Sequence, residues 1–272
     1  MRKLIVVEGL PCSGKSTTGK YIGEQLGMKC FDENSGVHPA DYEFQAFLSR
    51  EELGSFLEEE QGLLMAHSLQ KPGGYIIPLD QFEGELFEKL LNYKIYDFLP
   101  WEIEKPVMLA QWRTFAESVE PGEGYVFNSV LLQNPMCETM MRFGFDSRKS
   151  AEYIGEICRI IRPLDPFVIY LKNDDVRGAV EKAVPERGTA WLQGVIEYHC
   201  WGRYGKEKGL KGFEGYIAAL EERQAREIEI LQNLEIEYMI LNNPGRSWKD
   251  TYQRIMARLR GESLSSPVCP AG

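Results

Sequence analysis

The chain has 272 residues, 43% of them hydrophobic and 26% charged, an ordinary globular composition with ample material for a buried core. Against 31 basic residues it carries 41 acidic ones, a formal charge of -10, which argues against duplex nucleic acid or an anionic membrane as the main partner. Six scattered cysteines without a C-x-x-C pair fit reduced thiols, and no apolar run approaches the ~18 residues of a membrane span. Met1-Arg2-Lys3 is basic, but the apolar run behind it stops at Glu8, too short for a signal peptide, so the expected setting is cytoplasmic.

Leu4-Ile5-Val6-Val7-Glu8 reads as a buried strand. It runs directly into Gly9-Leu10-Pro11-Cys12-Ser13-Gly14-Lys15-Ser16-Thr17, which fits G-x-x-x-x-G-K-S, and helix-forming sequence follows to Leu26 with Gly27 as its stop. Strand, glycine turn and helix in that order make a phosphate cradle. The glycines let backbone N–H groups turn inward, and the helix N-terminus adds positive potential. Gly9, Pro11, Cys12, Ser13, Gly14, Lys15, Ser16 and Thr17 are the expected nucleotide-binding residues, with Lys15 on the β- and γ-phosphates and the Ser16 hydroxyl on Mg²⁺. Cys12 is either a thiol activated by that field or a tolerated loop side chain.

Lys29–Phe31 reads as a brief second strand ending in Asp32-Glu33-Asn34, followed by a loop with His38-Pro39. Leu53, Phe56, Leu57 and Leu64 give helical spacing over 50–70, with Glu58-Glu59-Glu60 as a solvated face. Tyr75–Asp80 is extended, and its proline points to an edge strand or a lone extension. Helices are expected over 82–98 and 107–119, the second striped by Met108, Trp112, Phe115 and Val119. Tyr125–Leu132 reads as a strand ended by Gln133-Asn134-Pro135; Ile154, Ile157, Cys158 and Ile161 mark a helix, and Phe167–Leu171 a buried strand. A helix over 174–184 leads to Pro185-Glu186-Arg187-Gly188, and the stretch to 212, without a clean period, reads as mobile. Phe213 to Leu231 is a long amphipathic helix, Tyr238–Leu241 the last strand, and Trp248 to Leu259 the last helix. From Gly261 the tail reads as disordered. The alternation defines an α/β fold: a three-layer α/β/α arrangement on a five-stranded parallel sheet, as one domain over 1–260. A helical insertion at 40–120 lies over the sheet's C-terminal edge and a lid spans 185–212.

The opening, Ile5-Val6-Val7-Glu8-Gly9 into Gly14-Lys15-Ser16-Thr17, resembles thymidylate kinases and the wider P-loop family of nucleoside, nucleotide and small-molecule kinases. The close match covers about the first thirty residues, and beyond it the likeness is one of layout. The resemblance implies ATP or GTP with Mg²⁺ and transfer of the γ-phosphoryl group to a hydroxyl or phosphate of a small molecule. It also implies an acid at the end of the second strand as base, here Glu33 with Asp32 as second choice, and a lid cation, here Arg187 ahead of Arg177 and Arg203. Glu8 stands where thymidylate kinases place an acid, either as a structural partner to a loop amide or on a water of Mg²⁺. The R-x-x-x-R lid pattern is not cleanly present, and the Asp-Arg pair typical of thymidylate kinases is missing, which disfavours thymidylate as acceptor.

At the end of the third strand, where many P-loop enzymes carry aspartate, this chain has Asn128. It either orders a metal-bound water or caps the next turn, and with Ser129 and Gln133 it is a candidate for hydrogen bonds to a polar acceptor. Trp101, Trp112 and Phe115 either line the acceptor pocket or pack in the core. His38, His67 and His199 share no ligand spacing, so no zinc site is expected. The acceptor is a nucleoside, a nucleotide or a hydroxylated antibiotic-like compound, and Glu33 and Asp80 would suit a cationic one. Two other readings compete: a nucleotide switch, prompted by Asp175-Val176-Arg177-Gly178 as D-x-x-G but lacking any N-K-x-D, and a regulatory nucleotide-binding protein without an acceptor. Oligomeric state is not legible.

Overall fold

The computed structural model describes residues 2–33, 36–242 and 248–262. In chain order the amino-terminal part comprises β1 (Leu4–Gly9), α1 (Lys15–Leu26), β2 (Lys29–Phe31), β3 (Gln45–Ser49), α2 (Arg50–Gly54), α3 (Glu58–His67), β4 (Leu69–Lys71) and β5 (Gly74–Pro78). There follow α4 (Gly84–Leu91), α5 (Ile95–Phe98), α6 (Trp101–Ser118), β6 (Tyr125–Asn128), α7 (Gln133–Met136), a π-helical turn at Cys137–Arg142, and α8 (Ser147–Ile161). The remainder is β7 (Phe167–Lys172), α9 (Val176–Arg187), α10 (Thr189–Trp201), α11 (Arg203–Lys208), α12 (Gly212–Asn233), β8 (Glu237–Asn242) and α13 (Trp248–Arg260).

Every residue of β1 is buried, as expected of a strand covered on both faces. Its alternation sorts the core. Leu4 and Val6 pack with Phe127, Val168, Met108 and Ile154 on the side of α6 and α8. Ile5 and Val7 pack with Ile22, Ile169 and Ile255 on the side of α1 and α13. The strands run β2-β6-β1-β7-β8, each neighbouring pair parallel, so the sheet is five-stranded and wholly parallel with helices on both faces. β1 sits at the centre, flanked by strands from later in the chain, and the loop after it opens at the crevice where ligands bind in such sheets.

The insertion departs from the helical expectation. It contains a three-stranded antiparallel sheet, β3-β5-β4, on its own apolar cluster of Leu48, Leu53, Leu64, Ile77, Leu79 and Leu90. Tyr75–Pro78, expected at an edge, is the central strand; Pro78 is tolerated because it is the last residue, opposite Gln45. The helix expected over 50–70 is two helices, each started by its own capping arrangement. The Ser49 hydroxyl accepts from the Glu52 N–H while the Glu52 carboxylate accepts from the Ser49 N–H, and the Glu60 carboxylate accepts from the Leu57 N–H at 3.0 Å. Glu60, read as part of a solvated face, thus starts α3.

Three further differences have local causes. The strand expected over 125–132 ends at Asn128, since Ser129 takes a left-handed φ of 70° and the chain turns into α7. The 189–208 stretch, read as mobile, forms α10 and α11; Trp191, Val195 and Ile196 of α10 pack with Val176, Val180 and Leu220. The Asp175-to-Gly178 pattern is a helix start, with the Asp175 carboxylate accepting from the Gly178 N–H at 2.9 Å. Of the tail expected to be disordered, 263–272 lie outside the described residues, as does Asn34. No described helix is long and apolar enough to cross a membrane.

Candidate active site

The phosphate turn follows from its glycines. Gly9 has φ 144°, and a Cβ there would stand 2.5 Å from the Leu171 carbonyl oxygen and 2.8 Å from the Ser13 hydroxyl. Gly14 has φ 93°, and a Cβ there would run into the Trp248 ring. Between them Cys12 holds φ 66°, a conformation a side chain seldom adopts and one associated with functional turns. Lys15 is buried and folds back over the turn, its Nζ donating to the Gly9 carbonyl at 2.9 Å and the Leu10 carbonyl at 3.0 Å. Burial pulls its pKa down, Glu33 opposes this, and the Arg223 guanidinium pulls it down further.

In front of this turn lies a cleft of about 610 Å³, within the range of small-molecule sites. Pro11, Cys12, Gly14, Lys15, Ser16 and Thr17 line it, while Gly9 and Ser13 belong to the turn but do not line the cleft. Glu33 lines the same cleft from the end of β2, and Arg187 from the end of α9. Gln133 Nε2 donates to a Glu33 oxygen at 2.9 Å and so orients it. Arg187 is exposed, stacks 5.0 Å over the Trp191 ring and precedes Gly188 at φ 87°, the single residue between α9 and α10. The insertion closes the opposite wall with Glu43, Lys94, Tyr96 and Asp97; after Cys12, Asp97 is a second non-glycine cleft residue at positive φ, 78°.

Other candidates fall outside. Asp32 is engaged by Asn128 Nδ2 and lies 3.3 Å from Lys20 Nζ, away from the cleft. Asn128 is buried against Gly19, so its amide serves the β2–β6 junction. Ser129 is buried, leaving Gln133 alone of the three polar strand-end residues in the cleft. Arg177 pairs with Glu214 and Arg203 with Glu207, and neither lines the cleft. Trp112 and Phe115 pack on Phe127, and Trp101 packs between Phe143, Phe145 and Tyr153, so all three are core. Asp80 is exposed beside a separate hollow near His67.

Glu8 takes the structural role. Its buried carboxylate accepts from the N–H groups of Leu131, Leu132 and Gln133 at 2.8, 3.0 and 3.1 Å, tying β1 to the start of α7. Burial pushes its pKa up to about 7 against those three donors. Asp41 works similarly on the insertion: Tyr96 Oη donates to one oxygen and Asn134 Nδ2 to the other at 3.1 Å, fixing two cleft residues, and burial raises it to about 6.

Arg223 escaped the sequence reading. The run Glu221 to Glu227 looks like a solvated charge cluster, yet Arg223 is 1% exposed and lines the cleft, and Glu227 is wholly buried. The legible signal is the period: Tyr216, Leu220, Arg223, Glu227 and Leu231 share one face of α12, which is its buried face.

The Ser16 hydroxyl, exposed at the cleft beside Lys15, is a suitable single protein oxygen for Mg²⁺, which otherwise takes phosphate oxygens and water.

No protein-family model matches the chain, and no curated protein matches it. Among solved structures it is similar to a deoxyadenosine kinase from M. mycoides with bound dATP, at 16% identity over 95% of this chain and 100% of that one, TM-score 0.45. It is also similar to a thymidylate kinase from Candida albicans, at 12% identity over 96% and 92%, TM-score 0.43. A shikimate kinase from Acinetobacter baumannii in complex with shikimate shows 13% identity over 97% of each chain, TM-score 0.41. All three are kinases. For this chain, function rests on its own cleft residues.

Proposed function

We propose that this protein is a P-loop phosphotransferase that moves the γ-phosphoryl group of ATP or GTP, with Mg²⁺, to a hydroxyl or phosphate of a small molecule. The observation that carries the reading is that one cleft is lined by the phosphate turn, Glu33 and Arg187 together. Phosphoryl transfer needs little more than positioning and charge, and these residues supply both.

In this reading Lys15 leaves the Gly9 and Leu10 carbonyls for the β- and γ-oxygens, trading two neutral acceptors for charged ones. Glu33, held on one side by Gln133, accepts the acceptor's proton. Arg187 turns about Gly188 from its stack on Trp191 to cover the phosphates and exclude water. Mg²⁺, when bound, sits at Ser16 and neutralises phosphate charge. The acceptor side offers Gln133, Asn134, Tyr96, Asp97 and Glu138, side chains that suit a small, multiply hydroxylated molecule such as a nucleoside, nucleotide or hydroxylated antibiotic.

The test is a thermal-shift screen of hydroxylated metabolites with Mg²⁺ and a non-hydrolysable ATP analogue, followed by ADP release assays on the hits. One compound should raise the melting temperature further and drive ADP formation mole for mole with its own phosphorylation. Glu33→Gln should lower that turnover by about 100-fold or more with folding intact. Slow ATP hydrolysis that no acceptor stimulates, equal in Glu33→Gln, would favour the nucleotide-switch reading instead.

A further inference from the structure

Arg223 is a fully buried guanidinium whose hydrogen-bonding capacity is largely unused. It has five N–H groups. Its Nη1 donates to the Cys137 sulfur at 3.2 Å, a weak acceptor. Its Nε lies 3.1 Å from a Glu227 oxygen but off the hydrogen-bonding direction, and Nη2 has no partner. An unmet buried donor is costly, more so when charged, and an oxygen-rich ligand would complete this one.

The surroundings say which ligand. Arg223 lines the cleft with Cys12, Gly14 and Lys15, and its charge is near enough to Lys15 to pull that lysine's pKa down. It is also held rigidly. The Tyr170 hydroxyl, from the core strand β7, donates to the second Glu227 oxygen at 2.6 Å, and Glu227 sits one helical turn beyond Arg223 on α12. Arg187, by contrast, is exposed and stacked on Trp191, and has to travel to reach a phosphate. Arg223 is positioned by Glu227 and Tyr170 before any nucleotide arrives, and its free nitrogens, which have no accessible surface, meet a phosphoryl oxygen once the cleft side chains over them give way.

We propose that Arg223, rather than the lid arginine, is the catalytic cation that meets the transferred phosphoryl group, donating its free N–H groups to two non-bridging oxygens. This rests on the phosphotransferase reading above. In the step itself the bond from the γ-phosphorus to the β,γ-bridging oxygen breaks and its electron pair leaves with ADP. A phosphorus–oxygen bond forms to the acceptor, whose proton passes to Glu33, and Arg223 is unchanged.

The test needs no acceptor. Binding of Mg²⁺·ADP is measured by calorimetry with and without beryllium fluoride, which stands in for the γ-phosphoryl group. Wild-type protein should bind ADP with beryllium fluoride about tenfold or more tightly than ADP alone, as expected for charge-assisted bonds to the added group. Arg223→Lys keeps a charge opposite Glu227 but loses the fork geometry; it should bind ADP within about threefold of wild type and lose most of the beryllium fluoride gain. Arg223→Met with Glu227→Gln leaves neither charge buried alone, guards against misfolding, and should lose the gain as well. Arg187→Ala should weaken both complexes alike and keep their ratio. A gain retained in Arg223→Lys or in the double variant overturns the assignment, as does wild-type protein that binds ADP but shows no gain. Wild-type protein that binds neither overturns the phosphotransferase reading itself, and this inference with it.

Discussion

Several side chains in this protein are held in protonation states set by burial, and His38 is the simplest of them. It is 7% exposed, its Nδ1 accepts from the Ala40 N–H at 3.2 Å, and its ring lies 4.3 Å from that of Phe127. Burial pushes its pKa from 6.5 down to about 3, so the native state binds fewer protons than the unfolded chain between those values. Stability from this group is therefore present above pH 6.5 and is lost as the pH falls toward 3. At pH 5 the loss amounts to about 2 kcal/mol. Glu8 and Asp41, both raised by burial, act with the opposite sign, so substitution is needed to isolate the histidine. His38→Asn keeps an acceptor for Ala40. In urea denaturation the loss of stability from pH 7 to pH 5 should be about 2 kcal/mol smaller in the variant; an unchanged pH dependence would contradict this account. At this scale the sequence was most legible where spacing from a strand end fixes a role. Lys15, Ser16 and Glu33 stand at set distances from β1 and β2 and do line the cleft. The bond from Asn128 to Asp32 was not legible because the two lie 96 residues apart and no local pattern joins them.

Among the elements, the pairing of the phosphate turn with α13 has the clearest consequence. Tyr21 of α1 stacks on Tyr252 at 4.1 Å, Tyr252 stacks on Trp248 at 5.6 Å, and Trp248 reaches over Gly14. The last helix thereby props the turn. Gly14→Ala both forces a side chain into φ 93° and drives the Trp248 ring away. The variant should lose about 1–3 kcal/mol of stability in urea denaturation and bind Mg²⁺ nucleotide more than about tenfold less tightly in calorimetric titration. Wild-type values in both measurements would show that this close approach is immaterial. Elements with long, strong periods, such as α6, α12 and the parallel strands, were legible. The β3-β5-β4 sheet was not, because its strands are three to five residues long and β3 pairs with β5 across two intervening helices. Helices α10 and α11 were missed for another reason: α10 buries only part of one face and exposes Tyr198 and Trp201, while α11 is short and rich in Gly, Arg and Lys, so neither shows a clean period.

Taken as a whole, the molecule converges on one crevice. The central strand delivers the phosphate turn, β2 delivers Glu33, the insertion supplies the far wall, and α9 and α12 bring Arg187 and Arg223. Buried carboxylates at Glu8, Asp41 and Glu227 lock those pieces to one another through backbone and side-chain donors. The architecture was readable from the alternation of strand and helix, since a parallel sheet follows from that order alone. The chemistry of the acceptor was not, because its wall is assembled from Lys94 to Glu138, residues brought together only by folding.

The account stands on the phosphate turn gripping a nucleoside polyphosphate through Lys15, and calorimetric titration with Mg²⁺ and the non-hydrolysable analogue AMPPNP tests this most directly. Wild-type protein should bind one equivalent with affinity at or better than about 100 μM, bind AMP far more weakly, and lose AMPPNP binding by about 100-fold in Lys15→Ala. No saturable binding, or binding that is indifferent to Lys15 and to the β- and γ-phosphates, would contradict it.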